Sequence, residues 1–292
     1  MLGEVLVIAA SFCWAVGANF YKSSLRKVDP VSLNLIRSGA AAVFLLIAAL
    51  ISGKMGYFLI LDGTSVMCLV GGALAGWAIG DTLYFLGLKW IGVSRAVPLT
   101  YAYPLFMIPL SIFFLNEPLT ANIILGTIAI ISAVWLISKS GEDSSHAVSA
   151  KMRLGVVASI VAAFCWAVGA TIFKLMMKTF DPIFIAFFKM LIILPFLAGY
   201  ISISSGGFAQ LSSLERHEIL MAVAGGIIAV GFGDMIYLIG LNLTQANIAA
   251  PLGASTPIFA AAIAVAFLKE KPNLKVILGI LLTVIGAALL IT

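Results

Sequence analysis

Six residues of the 292-residue chain have the type and spacing to do chemistry inside an apolar medium: Arg37, Asp81 and Tyr84, and further along Lys189, Asp234 and Tyr237. Each sits within a long apolar run. An ionisable side chain at the centre of a bilayer costs about 2.5–3.5 kcal/mol even on the permissive insertion scale, so each of these charges calls for a partner. Arg37 and Asp81 fall on sequence-adjacent, antiparallel apolar segments. At 1.5 Å per residue both lie roughly 9–10 Å below the same surface, which makes an ion pair available. Lys189 and Asp234 occupy the matching positions later in the chain, and a pair near each face is expected. Tyr84 and Tyr237 follow the aspartates by three residues, share their helical face and could donate to them. Three chemistries are open to such pairs. They can neutralise each other statically, act as twin gates that form and break in turn, or take up a proton at Asp81 or Asp234 for coupling.

A second group could bind a solute. Trp14 and Trp166 lie near the middle of their apolar runs, and Tyr101-Ala102-Tyr103-Pro104 and Ala254-Ser255-Thr256-Pro257 lie at similar depth. Pro98, Pro104 and Pro109, with Pro251, Gly253 and Pro257, interrupt the regular hydrogen-bond ladder there and can expose backbone carbonyls to a cavity. An aromatic wall of Trp14, Tyr101, Tyr103 and Trp166 facing the hydroxyls of Ser255 and Thr256 suits a small amphipathic organic solute. Asn19 and Asn34 are additional candidate donors. Gly72, Gly76 and Gly80 form small-xxx-small steps that read as helix packing. Glu117-Pro118 and Glu270-Lys271-Pro272 read as solvated turns.

The elements that must position these residues follow from composition. The chain is 62% hydrophobic and 10% charged, against roughly 45–50% and about 25% in an average soluble domain. Too few charged residues remain to clothe water-soluble domains of this size, so the solvent is a lipid bilayer. The net charge of +5 comes from scattered basic residues that form no stripe, which excludes a nucleic-acid partner. Cys13, Cys68 and Cys165 lie inside apolar runs and read as small hydrophobes. The first apolar run lacks a basic leader and is expected to remain as a membrane span.

Ten runs are long enough to cross the hydrocarbon: 4–21, 32–52, 65–88, 94–115, 121–138, 154–176, 183–203, 218–241, 246–268 and 274–291. The chain is duplicated. Phe12-Cys13-Trp14-Ala15-Val16-Gly17-Ala18 recurs at 164–170, and Gly80-Asp81, Tyr84 and Gly87-Leu88 recur as Gly233-Asp234, Tyr237 and Gly240-Leu241. Residues 1–140 form one five-helix repeat, 141–153 a polar linker and 154–292 the second repeat. Five is odd, so the second copy enters from the opposite face and the fold is all-α, with two inverted repeats. On the face reached after the first helix the sequence places Lys22, Arg26, Lys27, Lys89, Arg95, Lys139, Lys151, Arg153, Arg216, Lys269, Lys271 and Lys275, against Lys54, Lys174 and Lys178 on the other. This bias makes the first of these faces cytoplasmic and puts both chain ends outside the cell.

Motifs for other functions are missing. No Gly-rich loop ends in Gly-Lys-Ser or Gly-Lys-Thr, the two histidines His146 and His217 have no metal-ligand spacing around them, and no cofactor is implied. An intramembrane enzyme of the acyl or prenyl transferase type is the alternative reading, and such chemistry usually needs paired carboxylates or His at the interface. A channel lacks its filter motif.

The doubled five-helix unit, the Trp and Gly of each first helix, the basic residue of each second, the Pro-rich fourth helices and the Glu-Pro turn together resemble the drug/metabolite transporter superfamily, in its ten-helix EamA-type branch. The resemblance covers nearly the whole chain. It implies an alternating-access secondary carrier whose cavity is lined by the first four helices of each half, with the fifth and tenth outside. The related four-helix multidrug transporters use a membrane Glu in their first helix for proton coupling. This sequence departs from that pattern, with Trp14 and Trp166 in the corresponding region. The expected function is secondary active transport of a small organic metabolite, such as an amino acid or related compound, or of a drug-like solute. The chain would act as an exporter in a plasma (inner) membrane.

Overall fold

The computed structural model describes residues 1–24, 30–138, 150–203, 215–267 and 274–292. Among the described residues ten helices are long and apolar enough to span a bilayer: α1 (Leu2–Phe20), α2 (Val31–Ile51), α3 (Gly63–Ile91), α4 (Arg95–Leu115), α5 (Ala121–Ser138), α6 (Lys151–Met176), α7 (Pro182–Ile203), α8 (Arg216–Leu243), α9 (Ala246–Ile263) and α10 (Leu274–Ile291). The protein is an all-α, multi-pass membrane protein of ten spans. Most of the linker between the halves lies outside the described residues.

Glycine contacts fix how the halves meet. Gly3 packs on Gly240 and Thr244 while Gly233 packs on Cys13 and Trp14, so α1 runs antiparallel to α8. The same happens between α6 and α3, where Gly155 meets Trp90 and Ile91, Gly80 meets Trp166, and Gly72 meets Phe173. The third helix of each half therefore lies against the first helix of the other, in opposite directions, as two inverted repeats require. Gly169 brings backbone close to backbone: a Cβ there would lie 2.8 Å from the Gly76 Cα and 2.9 Å from the Gly72 carbonyl oxygen. The small-residue steps read in α3 are indeed packing.

Helices α5 and α10 pack chiefly on each other, with Gly126 against Leu290 and Gly286 against Ile130, outside the other eight. Ten crossings bring both chain ends to one face, here called the terminal face. Asn122 at the start of α5 meets Thr292 there, and Glu4 meets Thr244.

Two irregularities repeat in both halves. The fourth helices are broken: Val93–Thr100 is separated from Pro104–Leu110 by a turn at 101–103, and Ala246–Gly253 from Thr256–Phe267 by a turn at 254–255. The prolines remove ladder donors at these points, as expected. The third helices each contain a π-helical stretch, Leu74–Gly80 and Gly226–Gly233, that ends at Asp81 or Asp234. Widened turns of this kind cluster at functional positions.

Candidate functional site

Each buried aspartate is held by residues from both halves. Asp81 accepts a hydrogen bond from the indole N–H of Trp166 at 2.8 Å and is ion-paired with Arg37. Asp234 accepts from the indole of Trp14 at 2.7 Å, from the indole of Trp77 at 2.9 Å, and is ion-paired with Lys189. The glycine preceding each aspartate makes the indole contact possible. A Cβ at Gly80 would stand 2.8 Å from Cδ1 of Trp166, and one at Gly233 would stand 3.3 Å from Cδ1 of Trp14. The Gly-Asp dipeptide is thus a seat and an acceptor for the other half's tryptophan.

Both cations are also stacked on rings. The Arg37 guanidinium lies 4.8 Å from the Phe85 ring centroid, and its Nε donates to Asn34 Oδ1 at 3.0 Å. The Lys189 ammonium lies 4.2 Å from the Trp77 ring centroid and is completely buried. Such contacts offset part of the desolvation of a buried cation. The expected pairs Arg37–Asp81 and Lys189–Asp234 therefore form.

The pairs stand at the expected depth, each aspartate about one turn, roughly 6 Å, beyond the middle of its helix and the two on opposite sides of the midplane, and they are linked. Trp77, one turn before Asp81, reaches Asp234, and its carbonyl oxygen accepts from Asn34 at 3.5 Å. One central network results. One expectation needs correction: the tyrosines do not supply the aspartates' hydrogen bonds, which come from indoles and the paired cations. Tyr84 instead packs edge-on against Tyr101 at 6.1 Å between ring centroids, and Tyr237 faces Trp14.

The residues expected to bind a solute do come together. The ring of Trp166 contacts Tyr84, Tyr101 and Tyr103 at centroid distances of 5.3, 5.7 and 6.0 Å, and Trp14 contacts Tyr237 at 5.0 Å. The Tyr103 hydroxyl packs on Gly253 in the broken part of α9. Ser255 and Thr256 lie beside it but spend their protons locally, donating to the carbonyls of Leu252 at 2.6 Å and Gly253 at 2.9 Å next to the break. They can offer a solute only acceptor capacity. Asn19 likewise donates to its own helix at Ala15, and Asn34 serves Arg37.

Accessibility divides the network. Tyr84, Tyr101 and Trp166, around the Arg37–Asp81 pair, are half-buried, as are the indoles Trp14 and Trp77 that reach Asp234, whereas Lys189, Asp234, Tyr237, Ser255 and Thr256 are buried. Arg37 and Asp81 keep 8% exposure each, against 0% for Lys189 and 3% for Asp234.

The terminal face is bound across the halves by polar contacts. Lys54 pairs with Asp181 at 2.9 Å, and this hydrogen bond and charge hold the Lys54 ammonium above the usual lysine range. Behind it Phe58 contacts Phe184, and Tyr57 contacts Phe180. Lys174 donates to the carbonyls of Leu241 at 2.6 Å and Thr244 at 2.8 Å, at the C-terminus of α8. Glu117, expected in a solvated turn, instead accepts from the backbone N–H groups of Ala246 at 2.7 Å and Asn247 at 3.0 Å. Its repeat counterpart in Glu270-Lys271-Pro272 lies outside the described residues.

Sequence reasoning missed Trp77, Phe85 and the role of Glu117. A signal for Trp77 was present: the residue three before Gly80 is Trp, whereas three before Gly233 is Val230, a break in the repeat. Among the described residues no group of three or more His, Cys, Asp or Glu could hold a metal ion.

Comparison with known proteins agrees with this architecture. A solved structure described only as "Crystal structure of protein" superposes with a TM-score of 0.83 at 19% identity, over 98% of this chain and 95% of that one, which speaks to the fold. An "Uncharacterized transporter" of Archaeoglobus fulgidus is 26% identical over 292 residues, covering 100% of this chain and 98% of the relative. The "Uncharacterized transporter YvbV" of Bacillus subtilis is 26% identical over 154 residues, 50% of this chain and 48% of that protein. The EamA-like transporter family matches residues 1–139 and again 153–292, one match for each half. The chain belongs to the EamA-like transporter family of the drug/metabolite transporter superfamily, and its function is of the transporter type.

Proposed function

We propose that this transporter is an alternating-access secondary carrier that exports a small organic metabolite, such as an amino acid or related compound or a drug-like solute, across a plasma membrane. The observation that carries the reading is the pair of inverted acid–base–indole networks, unequally buried. Lys189, Asp234 and Tyr237 keep 0%, 3% and 3% exposure, while their counterparts Arg37 and Asp81 keep 8% each and Tyr84 is half-buried, as are the indoles Trp14 and Trp166 of both. An inverted repeat that rocks between two shapes exchanges the environments of its two halves. One network more deeply buried than its twin is the kind of difference such a cycle needs. The solute would lie against Trp14, Tyr101, Tyr103 and Trp166, with the oxygens of Ser255 and Thr256 as acceptors, and the ion pairs would gate it. The positive-inside bias supports placing the terminal face outside the cell.

The test is uptake and counterflow in proteoliposomes against a panel of amino acids and other metabolites, with and without a pH gradient. Saturable exchange that is lost in Asp81→Asn supports the reading. Product formation without net movement would instead favour an intramembrane enzyme.

A further inference from the structure

The turn that joins α8 to α9 in the second half is gripped by two carboxylates of the first. Glu117, after α4, spends both oxygens on the N–H groups of Ala246 and Asn247, and Pro118 accepts from the Asn247 side chain at 3.0 Å. Glu4, in α1, accepts from the Thr244 hydroxyl at 2.7 Å.

The first N–H groups of a helix have no partner inside it, and a helix normally satisfies them with its own N-cap side chain. Here it does not. Gln245 stands at the N-cap position with no side-chain cap bond, and its Oε1 is buried without a hydrogen-bond partner. The start of α9 is thereby made to depend on the other half of the molecule. A recess of about 170 Å³ lined by Leu115, Glu117, Lys174, Met177, Lys178 and Asn242 reaches this contact and gives water a route to it.

We infer that Glu117 is a releasable latch: its carboxylate caps α9 across the halves and holds the terminal face shut. When the two bonds part, the freed N–H groups can turn to water in the recess. The charged groups around the latch are Lys174 and Lys178 on the α6 side and Glu4, with the N-terminal ammonium bonded to it at 2.6 Å, on α1. Both lysines draw the Glu117 carboxylate toward the closed position. Glu4 is a second carboxylate that holds the same turn.

The latch rests on the carrier reading, and its test does not need a substrate. In a background with Cys13, Cys68 and Cys165 replaced by Ala, Met177→Cys reports opening of the terminal face through its reaction with a membrane-impermeant maleimide in proteoliposomes. Glu117→Ala should raise the labelling rate about tenfold, and Glu117→Gln and Glu117→Asp several-fold, the range expected for loss of charged hydrogen bonds. Gln keeps the side-chain shape, so it stands in if the Ala variant does not fold. Labelling within twofold of the parent in the Gln and Asp variants would overturn the latch. Absence of counterflow with normal labelling changes would instead sink the carrier reading alone.

Discussion

The indole of Trp166 and the carboxylate of Asp81 belong to opposite halves of the chain and meet at 2.8 Å, and Trp14 repeats the contact with Asp234 at 2.7 Å. The halves are therefore not two bundles side by side. Each completes the other's charged centre, so a change at one aspartate is felt at once by the first helix of the opposite half.

Trp166→Phe removes the N–H and keeps most of the ring. It leaves one buried acceptor position of Asp81 unpaired, and a loss of about 1–3 kcal/mol of stability is expected. Thermal unfolding in detergent measures it. In the Asp81→Asn background the same substitution should cost clearly less, because the two residues act as one unit.

Removing one member of a buried ion pair strands the other. Arg37→Met alone should destabilise by about 3–5 kcal/mol, whereas Arg37→Met with Asp81→Leu should recover most of that. A charge swap is expected to do worse than this double neutralisation, since it would aim a guanidinium at the N–H of Trp166. Counterflow decides the role: a stable double variant that still transports would make the pair a static neutralisation and end the gating proposal.

Gly169→Ala should push α6 from α3, because its Cβ would lie 2.8 Å from the Gly76 Cα, a backbone atom that cannot swing aside. A cost of about 1–3 kcal/mol is expected. Gly39→Ala, where a Cβ meets nothing within 4 Å, is the control that should be tolerated.

Trp77→Val copies the residue at the equivalent place in the other half, Val230. It deprives Asp234 of one donor and Lys189 of its ring, which makes the second network resemble the first. Maleimide labelling of Met177→Cys should rise, while Trp77→Phe, which keeps the ring beneath Lys189, should fall between. Equal rates in all three proteins would show that Trp77 does not bias the closed state.

The Lys54–Asp181 contact should be indifferent to alkali over a wide range. Pairing raises the Lys54 value in the folded protein, so its contribution is fully present below the ordinary lysine range and is lost only as pH climbs through the raised value. The stability difference between the parent and Lys54→Met, read from unfolding in detergent at each pH, should stay flat from about pH 7 to about pH 10. A fall within that interval would show that this lysine does not keep its proton as its partner demands.

Spans, duplication and ion pairs were legible because they depend on strong local signals: runs of apolar residues, a seven-residue identity at Phe12 and Phe164, and the cost of an unpaired charge in lipid. The tryptophans were legible as residues of the interior. Their acceptors were not, since a bond such as that from Trp14 to Asp234 joins residues 220 apart, and periodicity carries no information about which distant helix lies opposite. The π-helical stretches were hidden for a related reason. Gly and Ala permit a widened turn without demanding it, and packing against the other half selects it. Glu117 was misjudged because Glu-Pro at a turn is ordinary, while its partners, two N–H groups of another half, have no side-chain signature.

The four charges at the centre, Arg37, Lys189, Asp81 and Asp234, cancel. Moving one elementary charge through a membrane at 100 mV takes about 2.3 kcal/mol; a carrier whose core sums to zero escapes that load when it resets without cargo. The unloaded return step of this protein should then be electrically silent, and any current measured across a supported membrane during turnover would count the charge of the solute and its companions alone.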